Sequence, residues 1–297
     1  MESKTNINWY PGHMAKTMRQ IESDIKIVDI VIELLDARIP LASQNPEIAN
    51  KIKNKKKIVV LNKADLADEK MNQKWVSYFE NQNIPAVLVD SNSGKGIDKF
   101  IKKIEQVMQT MLKEQATKGR IGRKIRAMIL GIPNVGKSSF INRISKRTTA
   151  EVGNKPGVTK QKQWIRINDK IELLDTPGVL WPRFENEEVA LNLAFTGTIK
   201  ENILQKTEIA YQLVKFLLEN YREKICERYS LSNDYIEKIL SQDQPENFNI
   251  YEIMLEIGKK RGCIISGGNI DEEKTARIIL DEFKNGKLGK ITLEMSN

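Results

Sequence analysis

The stretch Gly131–Ser138 fits the pattern G-x-x-x-x-G-K-[ST]. Backbone N–H groups of such a loop point inward at phosphates, and a helix starting behind it adds partial positive charge. The motif requires a strand before it and a helix after it, and the apolar run Ile125–Leu130 and the helical spacing of Ser138–Ser145 supply both. We therefore predict a nucleotide phosphate site, an ordinary glycine-rich turn being the alternative. The predicted contacts are Asn134, Val135, Gly136, Lys137, Ser138 and Ser139, with Lys137 bridging the β- and γ-phosphates and Ser138 binding Mg²⁺.

A second motif, Asp175-Thr-Pro-Gly178, follows the apolar run Ile171–Leu174. An aspartate at the end of a buried strand can hold Mg²⁺ through a water molecule, and Gly178 can present its N–H to the γ-phosphate. A D-x-x-G pattern arises by chance about once in a chain of this length, so its spacing from Lys137 carries the prediction. Between the two motifs, Thr159 could close over Mg²⁺ and the γ-phosphate, and an ordinary solvated threonine is the alternative.

A third motif indicates which base is bound. Asn62-Lys63-Ala64-Asp65 follows the apolar run Ile58–Leu61. A carboxylate at Asp65 can accept hydrogen bonds from the ring N–H and the exocyclic amine of guanine, whereas adenine would leave it unpaired. Asn62 is predicted to position the loop and touch the base, and the stem of Lys63 to cover the ring. A second loop with Asp90, Ser91 and Asn92 is predicted to offer a backbone N–H to the guanine carbonyl, and GTP and GDP are the expected ligands.

The order of these motifs is unusual. In an ordinary GTPase the phosphate loop comes first and N-K-x-D last, whereas here Asn62–Asp65 precedes Gly131–Ser138. Because domain termini usually lie close together, reconnecting them elsewhere preserves the sheet and the site. The sequence therefore predicts a circularly permuted P-loop GTPase domain. In this order the segment Asp175–Pro182 leads directly into the C-terminal domain, residues 184–297. We expect nucleotide-dependent movement of this segment to be transmitted to that domain through the covalent connection.

The elements that position these motifs are predicted to alternate between strands and helices. Helical spacing recurs over Asn72–Asn81 and Ile97–Leu112, between apolar runs bounded by turns, which favours an α/β fold with a mostly parallel sheet flanked by helices. After Pro182 the strand pattern stops, and Thr207–Arg228 reads as one long amphipathic helix. We predict a GTPase domain over residues 1–183 and a smaller, mainly helical domain over residues 184–297. The predicted strands are Ile30–Leu35, Ile58–Leu61, Ala86–Val89, Ile125–Leu130, Trp164–Ile167 and Ile171–Leu174, and further helices are Tyr251–Lys260 and Asp271–Lys284.

The charge of the chain is unevenly distributed. Residues 1–183 hold 33 Lys and Arg against 19 Asp and Glu, while residues 184–297 hold 15 against 20. A domain this basic suggests a polyanionic partner such as nucleic acid, with simple solubility as the alternative. Two cysteines argue against a disulfide framework. The segment Met1–His13 lacks the apolar core of a signal peptide, and no apolar run approaches about 18 residues, so we expect a cytoplasmic protein without a membrane partner.

Taken with Trp9–Lys16, Asp36–Pro40 and Lys259–Cys263, the three motifs resemble the YlqF/RbgA family of circularly permuted ribosome-assembly GTPases over nearly the whole chain. The resemblance implies a bacterial cytoplasmic factor that acts late in assembly of the large ribosomal subunit. It also implies that the C-terminal helical domain, residues 184–297, helps bind ribosomal RNA. The expected partners are the large-subunit precursor and ribosomal RNA, without DNA, and the chain is expected to be a monomer away from the ribosome.

Catalysis poses a separate question, because Val179 stands where many GTPases have a water-orienting glutamine. Unaided turnover is therefore expected to be slow. The resemblance implies that Asn134 holds K⁺ beside the developing charge between the β- and γ-phosphates. His13, the single histidine, is a candidate for orienting water once the ribosome fixes the N-terminus, with a purely structural role as the alternative. Three rival functions remain: an ATP-driven kinase or ATPase, a scaffold that binds GTP without hydrolysis, and a GTPase acting on transfer RNA or membranes.

Overall fold

The computed structural model describes residues 12–119, 122–152, 164–181, 186–199 and 206–295. In this part of the chain, six strands are β1 (Ile30–Asp36), β2 (Lys56–Asn62), β3 (Ala86–Leu88), β4 (Ile125–Leu130), β5 (Trp164–Arg166) and β6 (Ile171–Leu174). The helices interleaved with them are α1 (Gly12–Ile25), α2 (Pro46–Lys51), α3 (Glu69–Asn81), α4 (Ile97–Thr117) and α5 (Lys137–Val152). The helices that follow are α6 (Glu187–Phe195), α7 (Lys206–Asn220), α8 (Arg222–Tyr229), α9 (Asn233–Leu240), α10 (Glu246–Lys260) and α11 (Glu272–Lys284).

The strands form one sheet in the order β3-β2-β1-β4-β6-β5. Only β5 runs antiparallel to its neighbour, and the other described pairs are parallel. All seven residues of β1 are buried, as expected of a strand covered on both faces. Ile30 is in register with both Lys56 and Ala127, so the central strands start at one edge of the sheet and end at the other. The fold is therefore the predicted α/β architecture.

Apolar side chains cover both faces of this sheet. On one face, α1 and α2 pack against β1, β4 and β6 through residues such as Ile21 and Ile48, and α3 packs beside them through Trp75 and Phe79. On the other face, α4 contacts β2 and β3, and the rings of Phe100 and Phe140 lie 5.1 Å apart. This double cover explains why the strands read as continuous apolar runs rather than alternating ones.

The predicted strands are confirmed, with bounds that differ by no more than two residues. The single long helix predicted over Thr207–Arg228 is wrong, because the chain leaves the helical conformation at Tyr221 and forms α7 and α8 instead. The phenol of Tyr221 donates a hydrogen bond to the carbonyl of Thr292 and accepts one from its N–H. A tertiary contact 71 residues away thus fixes the break, and the local apolar spacing does not show it.

The chain divides into two compact units, Met1–Phe184 with Glu294–Asn297 and Glu185–Leu293. Glu294 belongs to the first unit because its carboxylate accepts hydrogen bonds from the N–H groups of Leu41 and Ala42. Its carbonyl also accepts one from the indole of Trp75. The described residues of the second unit form helices α6–α11 and one isolated β-bridge, between Ile264 and Ile270. None of the helices in the described ranges combines the length and apolarity needed to cross a membrane.

Candidate nucleotide-binding site

The predicted motifs meet at one edge of the sheet. Asn62 ends β2, Asp90 follows β3, Gly131 follows β4 and Asp175 follows β6. Because these strands run parallel, their carboxyl ends lie side by side, which is where ligands bind in sheets of this class. β1 alone separates β2 from β4, so the sheet order brings the early base motif beside the late phosphate loop.

The phosphate loop has two positions at which only glycine fits. A Cβ on Gly131 would lie 2.7 Å from the carbonyl oxygen of Leu34. Gly136 has a φ of +95°, and a Cβ there would lie 2.4 Å from Nδ2 of Asn62. α5 begins at the next residue, Lys137, so the first N–H groups of the helix open into the loop. The loop therefore has the form that the motif predicts.

Lys137 and Asp175 lie close enough for their charges to interact. Burial lowers the pKa of the Lys137 ammonium to about 8, although the charge of Asp175 acts in the opposite direction. Burial likewise raises the pKa of Asp175, against the charge of Lys137 and a hydrogen bond from Thr176. Both charged groups are thus incompletely compensated by the protein. An anion beside Lys137 and a cation beside Asp175 would each relieve that cost.

The D-x-x-G segment packs directly on the phosphate loop. A Cβ on Gly178 would lie 3.0 Å from the backbone nitrogen of Pro133 and 3.1 Å from Nζ of Lys137. The N–H of Val179 donates to the carbonyl of Gly131 at 3.4 Å, and the Asn45 amide donates to the carbonyl of Val179 at 3.0 Å. The segment is therefore positioned where its backbone can respond to a γ-phosphate.

The base motif is hydrogen-bonded to the phosphate loop. Nδ2 of Asn62 donates to the carbonyl of Val135 at 2.9 Å, and Nζ of Lys63 donates to the carbonyl of Asn134 at 2.7 Å. Oδ1 of Asn62 accepts a hydrogen bond from the Ser91 hydroxyl at 2.7 Å. Asn62 therefore links three loops that are far apart in the sequence, and its predicted role in positioning the base motif has a geometric basis.

Asp65 lies at the outer end of the same motif. Burial raises the pKa of its carboxyl group, and the nearby charge of Asp90 raises it further. The charged form of Asp65 is thus disfavoured by its surroundings. Two N–H donors from a guanine ring would compensate that cost and fit the two oxygens of the carboxylate.

In the loop after β3, the Asp90 carboxylate is hydrogen-bonded to other residues of the same loop. Oδ1 of Asp90 accepts hydrogen bonds from the N–H groups of Asn92 and Ser93, and Oδ2 accepts one from the Ser93 hydroxyl. Although burial acts to raise the pKa of Asp90, these bonds outweigh it and the pKa is lowered. A base contact from the Asn92 N–H would require its bond to Asp90 to open. The contribution of Asp90, Ser91 and Asn92 to the base site stays a prediction.

Lys63 is held in place by a buried carboxylate, Asp36, which is itself paired with the buried Arg38, and the sequence motifs assigned neither residue to the site. The carboxylate of Asp36, at the end of β1, lies 2.9 Å from Nζ of Lys63 and 2.8 Å from the guanidinium of Arg38. Burial alone would raise the pKa of Asp36, but these two cations outweigh it and hold the pKa well below its usual range. The sequence signal that could have indicated Asp36 is its position at the end of an apolar run, as the N-K-x-D motif also follows one.

Arg143 is a third residue near the site that the sequence motifs did not indicate. It projects from α5, and its Nε donates to the carbonyl of Ser91 at 3.1 Å. Its side chain also lies 3.3 Å from the position of a Cβ on Gly94. The helix that follows the phosphate loop therefore supports the loop that contacts the base motif. Its position in a helix among other basic residues gave no sequence signal.

Two predicted residues cannot be placed in the site. Thr159 lies outside the described residues. His13 lies in the first turn of α1, where the backbone is helical. Their predicted roles stay predictions.

The residues present fit a magnesium ion bound together with a nucleotide. Among the described residues, no group of three or more His, Cys, Asp or Glu side chains could hold a metal ion unaided. Ser138 at the start of α5 and Asp175 at the end of β6 offer one hydroxyl and one carboxylate. Mg²⁺ in nucleotide sites typically combines one or two protein oxygens with phosphates and waters, and these two residues match that donor set.

Comparisons with known proteins agree with this geometry. A family model described as "50S ribosome-binding GTPase" matches residues 126–250, a range that starts at the strand before the phosphate loop and leaves the base motif upstream. A ribosome biogenesis GTPase A of Bacillus cereus is 43% identical over 288 residues, covering 97% of this chain and 93% of that protein. The corresponding protein of Bacillus pumilus is 42% identical over 97% of this chain and 98% of its own length.

Solved structures show the same fold. GNP-bound YlqF from Thermotoga maritima superimposes with a TM-score of 0.63 at 26% identity, covering 94% of this chain and 97% of that one. The GDP-bound form gives a TM-score of 0.64 at 25% identity, covering 93% of this chain and 98% of that one. With the base motif before the phosphate loop and both at one sheet edge, the chain belongs to the ribosome biogenesis GTPase A family of circularly permuted, GTP-binding ribosome-assembly factors.

Proposed function

We propose that this chain binds GTP and GDP with Mg²⁺, hydrolyses GTP, and acts late in assembly of the large ribosomal subunit, with subunit affinity set by the nucleotide. The observation that carries the proposal is the pair of hydrogen bonds from Asn62 to Val135 and from Lys63 to Asn134, which join the base motif to the phosphate loop. The matched family model and the names of the relatives support the ribosomal part.

Each residue of the phosphate site has a proposed task. Lys137 would bridge the β- and γ-phosphates, and Ser138 and Asp175 would hold Mg²⁺, Asp175 through a water molecule. When bound, the ion neutralises charge on the phosphate oxygens. Gly178 presents its N–H to the γ-phosphate, and Thr159 is proposed to close over the ion in the triphosphate state. Loss of the γ-phosphate would then release the segment after Asp175.

The arrangement of the base motif also separates the rival functions. A kinase or ATPase would keep the phosphate loop but would have no use for Asp65 beside it, because adenine offers no matching pair of donors. A scaffold that binds GTP without hydrolysing it would keep every contact described above. Only a measurement of phosphate release distinguishes that scaffold from an enzyme.

Among the described residues of the site, no obvious group orients the attacking water. Val179, directly after the D-x-x-G motif, is an apolar and buried side chain. We propose that Asn134 would hold K⁺, which when bound would supply stabilisation of transition-state charge, as an arginine finger does. Asn134 is exposed and has a φ of +60°. His13 is the proposed water-orienting group once ribosome binding fixes the N-terminus, and it would act only in the subunit-dependent reaction.

Phosphate release from GTP is therefore expected to be faster in K⁺ than in Na⁺, by about tenfold for a stabilisation of ~1.4 kcal/mol in the transition state. Asn134→Ala is expected to remove that difference while leaving GDP affinity nearly unchanged, because Asn134 contacts the base motif through its backbone carbonyl. Multiple-turnover phosphate release in the two salts measures the effect, with ATP as the comparison nucleotide.

Asn83→Ala is the matched control, because Asn83 also has a φ of +60° and lies in the turn after α3. Asn83→Ala also places alanine in the left-handed region of backbone conformation, at the same energetic cost, but far from the proposed phosphate site. Persistence of the K⁺ effect in Asn134→Ala would remove Asn134 from the proposed cation site. Equal release from ATP and GTP would contradict the guanine assignment, and no release from either would leave the scaffold as the function.

The ribosomal partner is proposed to be ribosomal RNA within the large-subunit precursor, with no DNA or membrane involved. The basic balance of residues 1–183 supports a polyanion, and the helical unit is proposed to contribute a second RNA contact. In that unit Lys259 and Lys260 are exposed at the end of α10, whereas Arg261 lies over the ring of Tyr229 and pairs with Glu282. We further propose that the chain acts in the cytoplasm as a monomer away from the ribosome.

A further inference from the structure

The loops that lead into β2, β4 and β6 lie at the end of the sheet opposite the nucleotide site. Residues 51–57, 122–126 and 168–170 hold nine basic residues and one acidic residue, Asp169. We call this set the strand-start surface. Its basic residues are Lys51, Lys53, Lys55, Lys56, Lys57, Arg123, Lys124, Arg126 and Lys170.

The register of the strands brings these loops side by side. Ile30 of β1 is in register with Lys56 of β2 on one side and with Ala127 of β4 on the other. Ile125 of β4 is in turn in register with Ile171 of β6. Neighbouring strands are about 4.8 Å apart, so the cations of the three loops spread over roughly 15 Å. Lys53, Lys55, Lys56 and Lys57 also line a cleft of about 490 Å³.

Acidic neighbours neutralise only part of this surface. Glu22, Glu33, Asp29, Glu172 and Glu105 each pair with one of its cations. Lys53, Lys56 and Arg126 are exposed and have no carboxylate partner among the described residues. The exposed ion pairs are weak interactions, so a phosphate could replace a carboxylate at little cost. The guanidinium of Arg126 lies 5.3 Å from the ring of Trp164, and Arg126 remains exposed.

The opposite edge of the sheet has a different charge pattern. Asp65, Asp90 and Asp175 are found at the carboxyl ends of the strands, where Asp36 is buried and paired with Arg38 and Lys63. These carboxylates would repel a polyanion larger than a nucleotide, whereas the strand-start surface would attract one. Strands of six or seven residues place the two ends about 20 Å apart.

We propose that the strand-start surface binds the phosphate backbone of ribosomal RNA and leaves the nucleotide edge open. The proposal rests on the proposed function, since it locates the RNA contact of the same protein. RNA is favoured because closely spaced cations on an end of the domain match the repeated charges of a phosphate backbone.

The test is the triple variant Lys53→Gln, Lys56→Gln and Arg126→Gln, which removes the three exposed cations that lack a carboxylate partner. Binding to large ribosomal subunits is measured by sedimentation between 50 and 200 mM KCl, about the range over which phosphate contacts weaken most visibly. The plot of log affinity against log salt concentration is expected to become shallower by about 2, with roughly tenfold weaker binding at 100 mM. GDP affinity and unstimulated phosphate release are expected to stay unchanged.

The matched control is Lys70→Gln, Lys99→Gln and Lys102→Gln, which removes three exposed lysines from the early turns of α3 and α4. It makes the same change in net charge near the other end of the strands and is expected to keep the wild-type salt dependence. Equal losses in both triples would overturn the proposed location and leave only a general charge effect.

Protein-free large-subunit RNA provides the second arm. The strand-start triple is expected to lose affinity for this RNA to the same extent as for the intact subunit. Loss on the subunit alone would show that the surface contacts a ribosomal protein, and it would overturn the proposal. If the wild-type chain failed to bind subunits at all, the proposed function itself would fail, which is a distinguishable result.

Discussion

Replacing Asp65 by asparagine is expected to weaken GDP and GTP binding about 100-fold and to shift preference toward xanthine nucleotides. The amide would place a donor where guanine also has a donor, and an unpaired polar contact costs about 1–3 kcal/mol. Xanthine carries an oxygen in place of the exocyclic amine, so it would accept a hydrogen bond from the new amide. Titration with fluorescent guanine and xanthine nucleotides measures both effects.

Asp90→Asn is the control for Asp65→Asn. Both are aspartates at the same sheet edge, but the Asp90 carboxylate accepts hydrogen bonds from its own loop. Its replacement is expected to loosen that loop and weaken binding modestly, without a switch to xanthine. Unchanged GTP affinity in Asp65→Asn would remove Asp65 from the base site. A xanthine preference in Asp90→Asn instead would reassign the base contact to the second loop.

The substitution Gly136→Ala is expected to abolish measurable nucleotide binding, a loss of about 100-fold or more. The added Cβ would lie 2.4 Å from Nδ2 of Asn62, the atom that joins the base motif to the phosphate loop. Either the loop or Asn62 must move, and both belong to the site. The same residue has a φ of +95°, so alanine also adds backbone strain of roughly 1–2 kcal/mol. Nucleotide titration and thermal unfolding of the variant measure the two effects separately.

Gly119→Ala is the control that separates the effect of backbone strain from that of the steric contact with Asn62 in Gly136→Ala. Gly119 has a φ of +72°, but a Cβ there would meet nothing within 4 Å. It is expected to lower stability by a similar amount of backbone strain and to leave nucleotide affinity at the wild-type level. If Gly136→Ala bound nucleotide as well as Gly119→Ala does, the close contact between Gly136 and Asn62 would not matter for the site.

The sequence predicted those parts of the site that local motifs encode. Gly131–Ser138 stands between a buried strand and a helix, and that context follows from apolar runs and spacing alone. The linkage of Asn62 to Val135 was not predictable in this way, because it depends on β1 lying between β2 and β4. Sheet order is a property of the whole fold, and no local pattern reports it.

The same reason explains the residues that the sequence analysis missed. Asp36 contacts Lys63 because their strands are neighbours, and Arg143 contacts Ser91 because α5 packs beside the loop after β3. The ion pair of Glu33 was also not predictable, because Glu33 lies within an apolar run of the sequence. It is buried and pairs with Lys57 of the neighbouring strand. Each of these pairs joins residues that are more than 20 positions apart in the chain.

The break between α7 and α8 shows the limit of helical periodicity. Apolar spacing continues through the region, and the helix ends because Tyr221 is held by Thr292 from the far end of the unit. The return of Glu294 to the first unit is equally nonlocal, since its partners lie about 250 residues earlier.

Sedimentation of the chain with large ribosomal subunits in each nucleotide state tests the central claim most directly. The claim is that one site, built from Asn62–Asp65 and Gly131–Ser138, sets the affinity of the chain for the subunit. The account predicts that a non-hydrolysable GTP analogue gives clearly more subunit-bound chain than GDP, and that Asp65→Asn loses this difference with guanine nucleotides and regains it with a xanthine triphosphate. Binding that is equal with the analogue, with GDP and without nucleotide would contradict it.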